Sequence, residues 1–244
     1  MLINRFQLPA DKMQNLVNLA NSGKFKAALK GAKQFEKLYP QDPALKNFIG
    51  VIYAKLGNGN FAAKTFKRII KNNPSFVPAY TNLANYFFQK HEYTDAIKTL
   101  EEAIKVNEKI PDVFVDLGTN YQMNGELSNA IANYRSAVAL NPKLVRGWIN
   151  LGNALWESGK PSLASDAYIE ALNIEPNNAI AASYLIDTFH FVHSPKSGPS
   201  PYVKANHAIK QIEQKHGIQK FAGNSALYNF LIECNNVLKT NELE

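Results

Sequence analysis

Six polar residues of this chain fall on two tracks of equal spacing. Asn82, Asp116 and Asn150 stand 34 residues apart, and Asn85, Thr119 and Asn153 repeat the interval three residues later. A side-chain amide carries a donor and an acceptor together, so a row of them can bond the backbone of an extended peptide whatever its side chains. Tyr184 takes the next place on the first track, while Phe48 and Asp116 interrupt its amides. One helical turn further on lie Phe88, Gln122, Met123, Trp156 and Phe191. Of these, Phe88 and Trp156 are candidate aromatic anchors beside the ladder.

A second set is cationic. Lys30, Lys33 and Lys37, then Lys64, Lys67 and Lys71, are spaced by three and four residues, which puts each trio on one face of a helix. Residues 1–76 hold 13 Lys+Arg against 3 Asp+Glu, whereas residues 77–178 hold 8 against 12, so the net charge of +7 is an N-terminal property. Such a face is a candidate for an acidic protein, nucleic acid or an anionic membrane surface, and equally for an ordinary solvated surface. Asp187, His190 and His193 are a weaker metal candidate, because positions i, i+3 and i+6 drift around a helix by about 120° and do not converge. No phosphate-binding glycine loop, nucleophile elbow or zinc helix motif occurs. The expectation is a protein that is not an enzyme and needs neither cofactor nor metal.

The elements that must position these residues follow from the same interval. Pro40, Pro74, Pro142 and Pro176 keep the 34-residue spacing, with Glu108 in the one vacancy, and Ala28, Ala62, Ala96, Ala130 and Ala164 keep it in all five units. Each unit reads as two amphipathic helices, A and B, separated by a turn. Gly23, Gly57, Gly125 and Gly159 mark that turn, where glycine adopts the left-handed backbone that ends a helix. Gly50, Ala84, Gly118 and Gly152 on helix A are expected to face the alanine row of helix B, with the large rings of Tyr53, Tyr80, Phe87, Phe114, Tyr121 and Trp148 filling the spaces.

Trp148, Leu151, Gly152, Leu155, Gly159, Ala164, Tyr168, Ala171 and Pro176 stand on nearly all the signature places of the tetratricopeptide repeat, and the chain resembles that family over residues 9–178. The units are 9–42, 43–76, 77–110, 111–144 and 145–178. The first departs most, with Leu16 at a usually small place and Phe35 at a usual alanine. The resemblance implies an all-α, right-handed superhelical solenoid of antiparallel helix pairs whose A helices line a concave groove. The carboxylate clamp of the family's chaperone receptors is missing, since its places hold Pro78, Val115, Asp116 and Ile149, and only Arg146 supplies positive charge.

After Pro176 the period fails. Residues 179–199 are read as a partial sixth repeat and a turn-rich loop, and residues 200–244 as capping helices with an apolar stripe at Leu227, Phe230, Leu231, Cys234, Val237 and Leu238. The N-terminal residues lack the apolar core of a secretory signal, no apolar run is long enough for a transmembrane segment, and one cysteine permits no internal disulfide, so a cytoplasmic location is expected. The function expected is a scaffold or adaptor that holds a protein or extended peptide. The alternative is a recruiting region for a bacterial enzyme of sulfotransferase, glycosyltransferase or 2-oxoglutarate oxygenase type, because similar chains carry such repeats ahead of those domains.

Overall fold

A computed structural model describes residues 7–191 together with 209–211, 214, 229, 230 and 232. Eleven helices, and no strand, occur among the described residues. They fall into two compact units, Met1–Lys109 and Ile110–Glu244. The first contains α1 (Ala10–Asn21), α2 (Phe25–Leu38), α3 (Pro43–Lys55), α4 (Gly59–Asn72), α5 (Val77–Gln89) and α6 (Tyr93–Val106). The second contains α7 (Pro111–Met123), α8 (Leu127–Leu140), α9 (Val145–Glu157), α10 (Pro161–Ile174) and α11 (Ala179–Phe191). Odd-numbered helices are the A helices and even-numbered ones the B helices. Among the described residues no helix is long and apolar enough to cross a membrane.

The A-to-B turns are the same hydrogen-bonded structure five times. In the first, the Gly23 N–H donates to Ala20 O and the Lys24 N–H reaches back to Leu19 O, satisfying carbonyls that the end of α1 would leave unpaired. Gly23, Gly57, Gly125 and Gly159 take φ between 72° and 84° to make this closure. The third repeat has His91 in their place at φ 60°, and the bonds are kept: His91 N–H to Phe88 O and Glu92 N–H to Phe87 O. One helix start is fastened differently. Asp42 is buried ahead of Pro43, and its carboxylate accepts from the N–H groups of Ala44 and Leu45 and, at 2.7 Å, from that of Leu8. A single cap thereby holds both the start of α3 and the chain entering α1.

Packing within each repeat rests on a size match between helix A and helix B. The alanine row is fully buried. The nearest neighbours of the helix A glycines are not these alanines, as the spacing led one to expect, but aromatic rings one turn further along helix B. A Cβ at Gly50 would sit 2.5 Å from Phe66 Cε1, and one at Gly118 would sit 2.7 Å from Tyr134 Cε1. Gly152 stands in the same way against Tyr168. Where helix B offers Leu100 instead of a ring, helix A carries Ala84, and both are buried. The first repeat inverts the pair: Leu16 on α1 and Ala32 on α2 share one cluster, and a Cβ at Gly31 would meet Leu16 Cδ2 at 3.0 Å. Leu16, irregular by its sequence, is therefore compensated across the crossing.

In the second unit the core continues past α10. Ala181, Ala182 and Leu185 of α11 are buried with Ile209 and Phe230 in the cluster that contains Tyr168 and Leu172. Phe230 belongs to the expected apolar stripe. Leu227, Leu231, Cys234, Val237 and Leu238, like the loop after residue 191, lie outside the described residues.

His91→Gly should raise stability by about 0.5–1 kcal/mol, since an L-residue in the left-handed region is strained and the exposed contact of His91 Nδ1 with the Tyr93 hydroxyl contributes little. Urea unfolding of the two proteins checks this. A loss of stability would mean that the imidazole–phenol contact outweighs the backbone strain.

Candidate functional site

In the first unit the A-helix tracks open on a cavity of about 640 Å³ formed by α3, α4 and α5. Asn82 and Asn85 line it, with Asn60, Gln89, Lys55 and Lys90, and the Phe66 ring forms part of its wall. Among the described residues no carboxylate lines this cavity. The Asn82 amide donates to Asn47 Oδ1 at 2.9 Å, and the Tyr86 hydroxyl donates to Asn60 Oδ1 at 2.7 Å. Those bonds orient two amides and leave the Asn82 carbonyl oxygen and the Asn60 NH2 group for other partners. Phe88, expected beside the ladder, is in edge contact with Tyr93, with ring centroids 5.6 Å apart.

The second unit treats the same tracks differently. Arg146 of α9 reaches across to α7, donating to Asp112 at 2.8 Å and to Asp116 at 3.1 Å. Asp116 is still held above the usual carboxylate range, because burial outweighs the guanidinium that lowers it. The Asn150 amide lies 3.5 Å from Thr119 Oγ1. Gln122, one turn on, donates from Nε2 to Glu157 Oε1 at 2.7 Å. The rings that pack on the helix A glycines also bring their hydroxyls to this surface. The Tyr134 hydroxyl donates to Gln122 Oε1 at 2.9 Å and lies 3.2 Å from Thr119 Oγ1, while that of Tyr168 donates to Asn153 Oδ1 at 2.8 Å. Burial pushes the Tyr134 phenol up to about 12 and that of Tyr168 higher still, so both are neutral donors at any ordinary pH. Asn153, Trp156 and Tyr184 do meet, around a cavity of about 300 Å³ that Glu157 and Asp187 also line.

Two lysines of the cationic face also contact aromatic rings. Lys33 sits over the Tyr53 ring at 5.9 Å and pairs with Glu36 at 2.8 Å, and Lys67 sits over the Phe87 ring at 5.4 Å. These are equivalent positions of successive repeats, each tying a B helix to the next A helix. Lys30, Lys37, Lys64, Lys67 and Lys71 are exposed, and Lys33 is half-buried. Among the described residues no group of three potential ligands could hold a metal ion; the side chains of His190 and His193 lie outside them.

Four residues of these surfaces escape the 34-residue tracks. Asn47 with Asn82, and Gln122 with Glu157, pair at a separation of 35. Neighbouring A helices thus meet one residue out of register with the repeat, and a scan for polar pairs at that offset would find them. Lys55 and Lys90 stand near the A-to-B turns at the same separation of 35.

A family model described as TPR repeat matches residues 121–159, and two described as tetratricopeptide repeat match residues 145–178 and 62–112. No curated protein matches the sequence. Among solved structures, a thermophilic TPR protein of Thermus thermophilus is 21% identical with a TM-score of 0.61, covering 74% of this chain and 98% of that one. A MamA protein is 26% identical with a TM-score of 0.56, covering 69% and 92%. YrrB, described as a TPR protein with an unusual peptide-binding site, is 18% identical with a TM-score of 0.57, covering 76% and 93%. The three family matches make residues 62–112 and 121–178 tetratricopeptide repeats, and the helix pairs repeating every 34 residues with their five turns of one form carry the same pattern from α1 to α10.

Proposed function

We propose that this protein is a non-enzymatic scaffold whose A-helix surfaces hold an extended segment of another protein. The observation that carries the reading is the amide-lined cavity of the first unit. Asn82 and Asn85 stand three residues apart on one face of α5, and the cavity they line has room for a peptide backbone and its side chains. Amides read the main chain, which every peptide offers, while Lys55 and Lys90 favour an acidic side chain or a terminal carboxylate there. The family fits this use, because helical repeats expose long side-chain surfaces that do not contribute to the core.

A second observation supports binding in the other unit. The Asp116 carboxyl is partly buried, and that burial raises its pKa against the pull of Arg146; carboxyls perturbed in this way cluster at functional surfaces as well as in structural ion pairs. It fixes Arg146, leaving a guanidinium presented by two carboxylates on the A-helix surface.

Selection of heptapeptides from a random display library, followed by anisotropy titration of the selected peptides, tests the first unit. Asn82→Ala with Asn85→Ala should weaken binding by about 1–3 kcal/mol, one or two hydrogen bonds, and leave the melting curve nearly unchanged. Selected peptides that bind the double variant with unaltered affinity would exclude the amide track.

Asp116 gives a prediction in pH. Its folded pKa is raised, so ionisation costs stability; that cost is present in full above the folded pKa and disappears below the unfolded value. Asp116→Asn should therefore match or exceed the parent in melting temperature at pH 7, with the difference shrinking as the solution is acidified. A variant less stable at pH 7 would show that the Arg146 pair outweighs desolvation.

A further inference from the structure

The cavity of the second unit has a chemistry opposite to that of the first. Its walls include the indole of Trp156 and the rings of Tyr168 and Tyr184, whose centroids are 5.6 Å apart, and Asn153 stands beside them. Glu157 and Asp187, both exposed, complete it. Among the described residues, no lysine, arginine or histidine lines it. We infer that this cavity receives the side chain of a lysine or arginine carried by a bound peptide, a reading that rests on the peptide-binding function proposed above and adds the class of residue recognised.

Three physical features converge on a cation with an apolar stem. Aromatic faces attract positive charge through their quadrupoles and also cover methylene groups, so a long basic side chain suits a wall of aromatic rings along its whole length. Among the described residues no cation within the cavity neutralises the two carboxylates. Glu157 accepts at Oε1 from the Gln122 amide, a neutral donor that orients the group. An apolar occupant would strip water from both carboxylates without replacing it, and an acidic one would be repelled. The cavity, at about 300 Å³, is large enough for one extended side chain and small for a folded element. Electrostatics at its wall agree: after burial, the groups that raise the Tyr168 phenol are Tyr184, Glu157 and Asp187, all of which bring negative charge toward it when ionised.

The test uses four acetylated, amidated alanine pentapeptides that differ only in a central lysine, arginine, norleucine or glutamate. They are titrated into the full isotope-labelled chain, with the Trp156 indole and the amides of α9–α11 followed separately from those of α3–α5. Lysine and arginine peptides should perturb Trp156 and α11 and bind about tenfold more tightly than norleucine, the sum of a cation–aromatic contact and exposed charge pairs. In Glu157→Gln with Asp187→Asn that preference should fall to within about twofold while the melting temperature holds, and added salt should weaken the parent alone. Equal binding of norleucine or glutamate at Trp156, or a preference that survives in the double variant, would overturn the inference. Lysine peptides that shift only α3–α5 would overturn it and leave peptide binding standing. Silence from all four peptides at both sets of resonances would count against both.

Discussion

The structure of each repeat depends on how closely helix A can approach helix B, and one contact sets that distance. A flat ring on helix B lies on a helix A glycine, so near that a β-carbon would overlap it: Phe66 on Gly50, Tyr134 on Gly118, Tyr168 on Gly152. Glycine in mid-helix costs about 1 kcal/mol relative to alanine, and burying a phenyl or phenol ring returns roughly 2–3 kcal/mol. The exchange is favourable only where both partners are present. Ala84 with Leu100, and Leu16 with Ala32, are the other solutions to the same volume constraint.

That contact also reaches the binding surface. A ring laid flat on the glycine carries its para position toward the open side of helix A, and in the second unit the hydroxyl there holds Gln122 or Asn153. Phe66 and Leu100 have no hydroxyl, so the first unit organises its surface with amide–amide pairing instead, Asn82 with Asn47. The consequence is two differently built cavities on one repeat plan. Both combine amides with aromatic rings, but the first adds lysines and the second adds carboxylates. Residue choice at places that packing leaves open is what separates them.

Much of this was readable in the sequence because a repeat states each rule several times. Five buried alanines in one frame and four glycines at the turns give the helix pairs without any knowledge of contacts. His91 broke the glycine frame, yet histidine tolerates the left-handed region well enough for the turn to survive. What the spacing could not convey was which side chain meets which. The glycines face rings instead of alanines because side chains on a helix lean toward its N-terminus, so the partner stands one turn on from the position that register alone selects. For the same reason the polar pairs fall at 35 residues, and Lys33 and Lys67 lie over rings of the following A helix. Glu157 and Asp187 gain their meaning only when α9, α10 and α11 bring them to the same rings.

The claim that ring and glycine form one unit is tested most directly by a double-mutant cycle at Gly50 and Phe66, with Ala84 and Leu100 of the next repeat as the template. In the parent, Gly50→Ala should cost about 1–2 kcal/mol, because overpacking against the ring exceeds the gain in helix propensity. In a Phe66→Leu background the same change should be neutral or stabilising, which amounts to a coupling of about 1–3 kcal/mol in urea unfolding. An equal effect of Gly50→Ala in both backgrounds would contradict the account, since the ring would then have no part in setting the approach of the two helices.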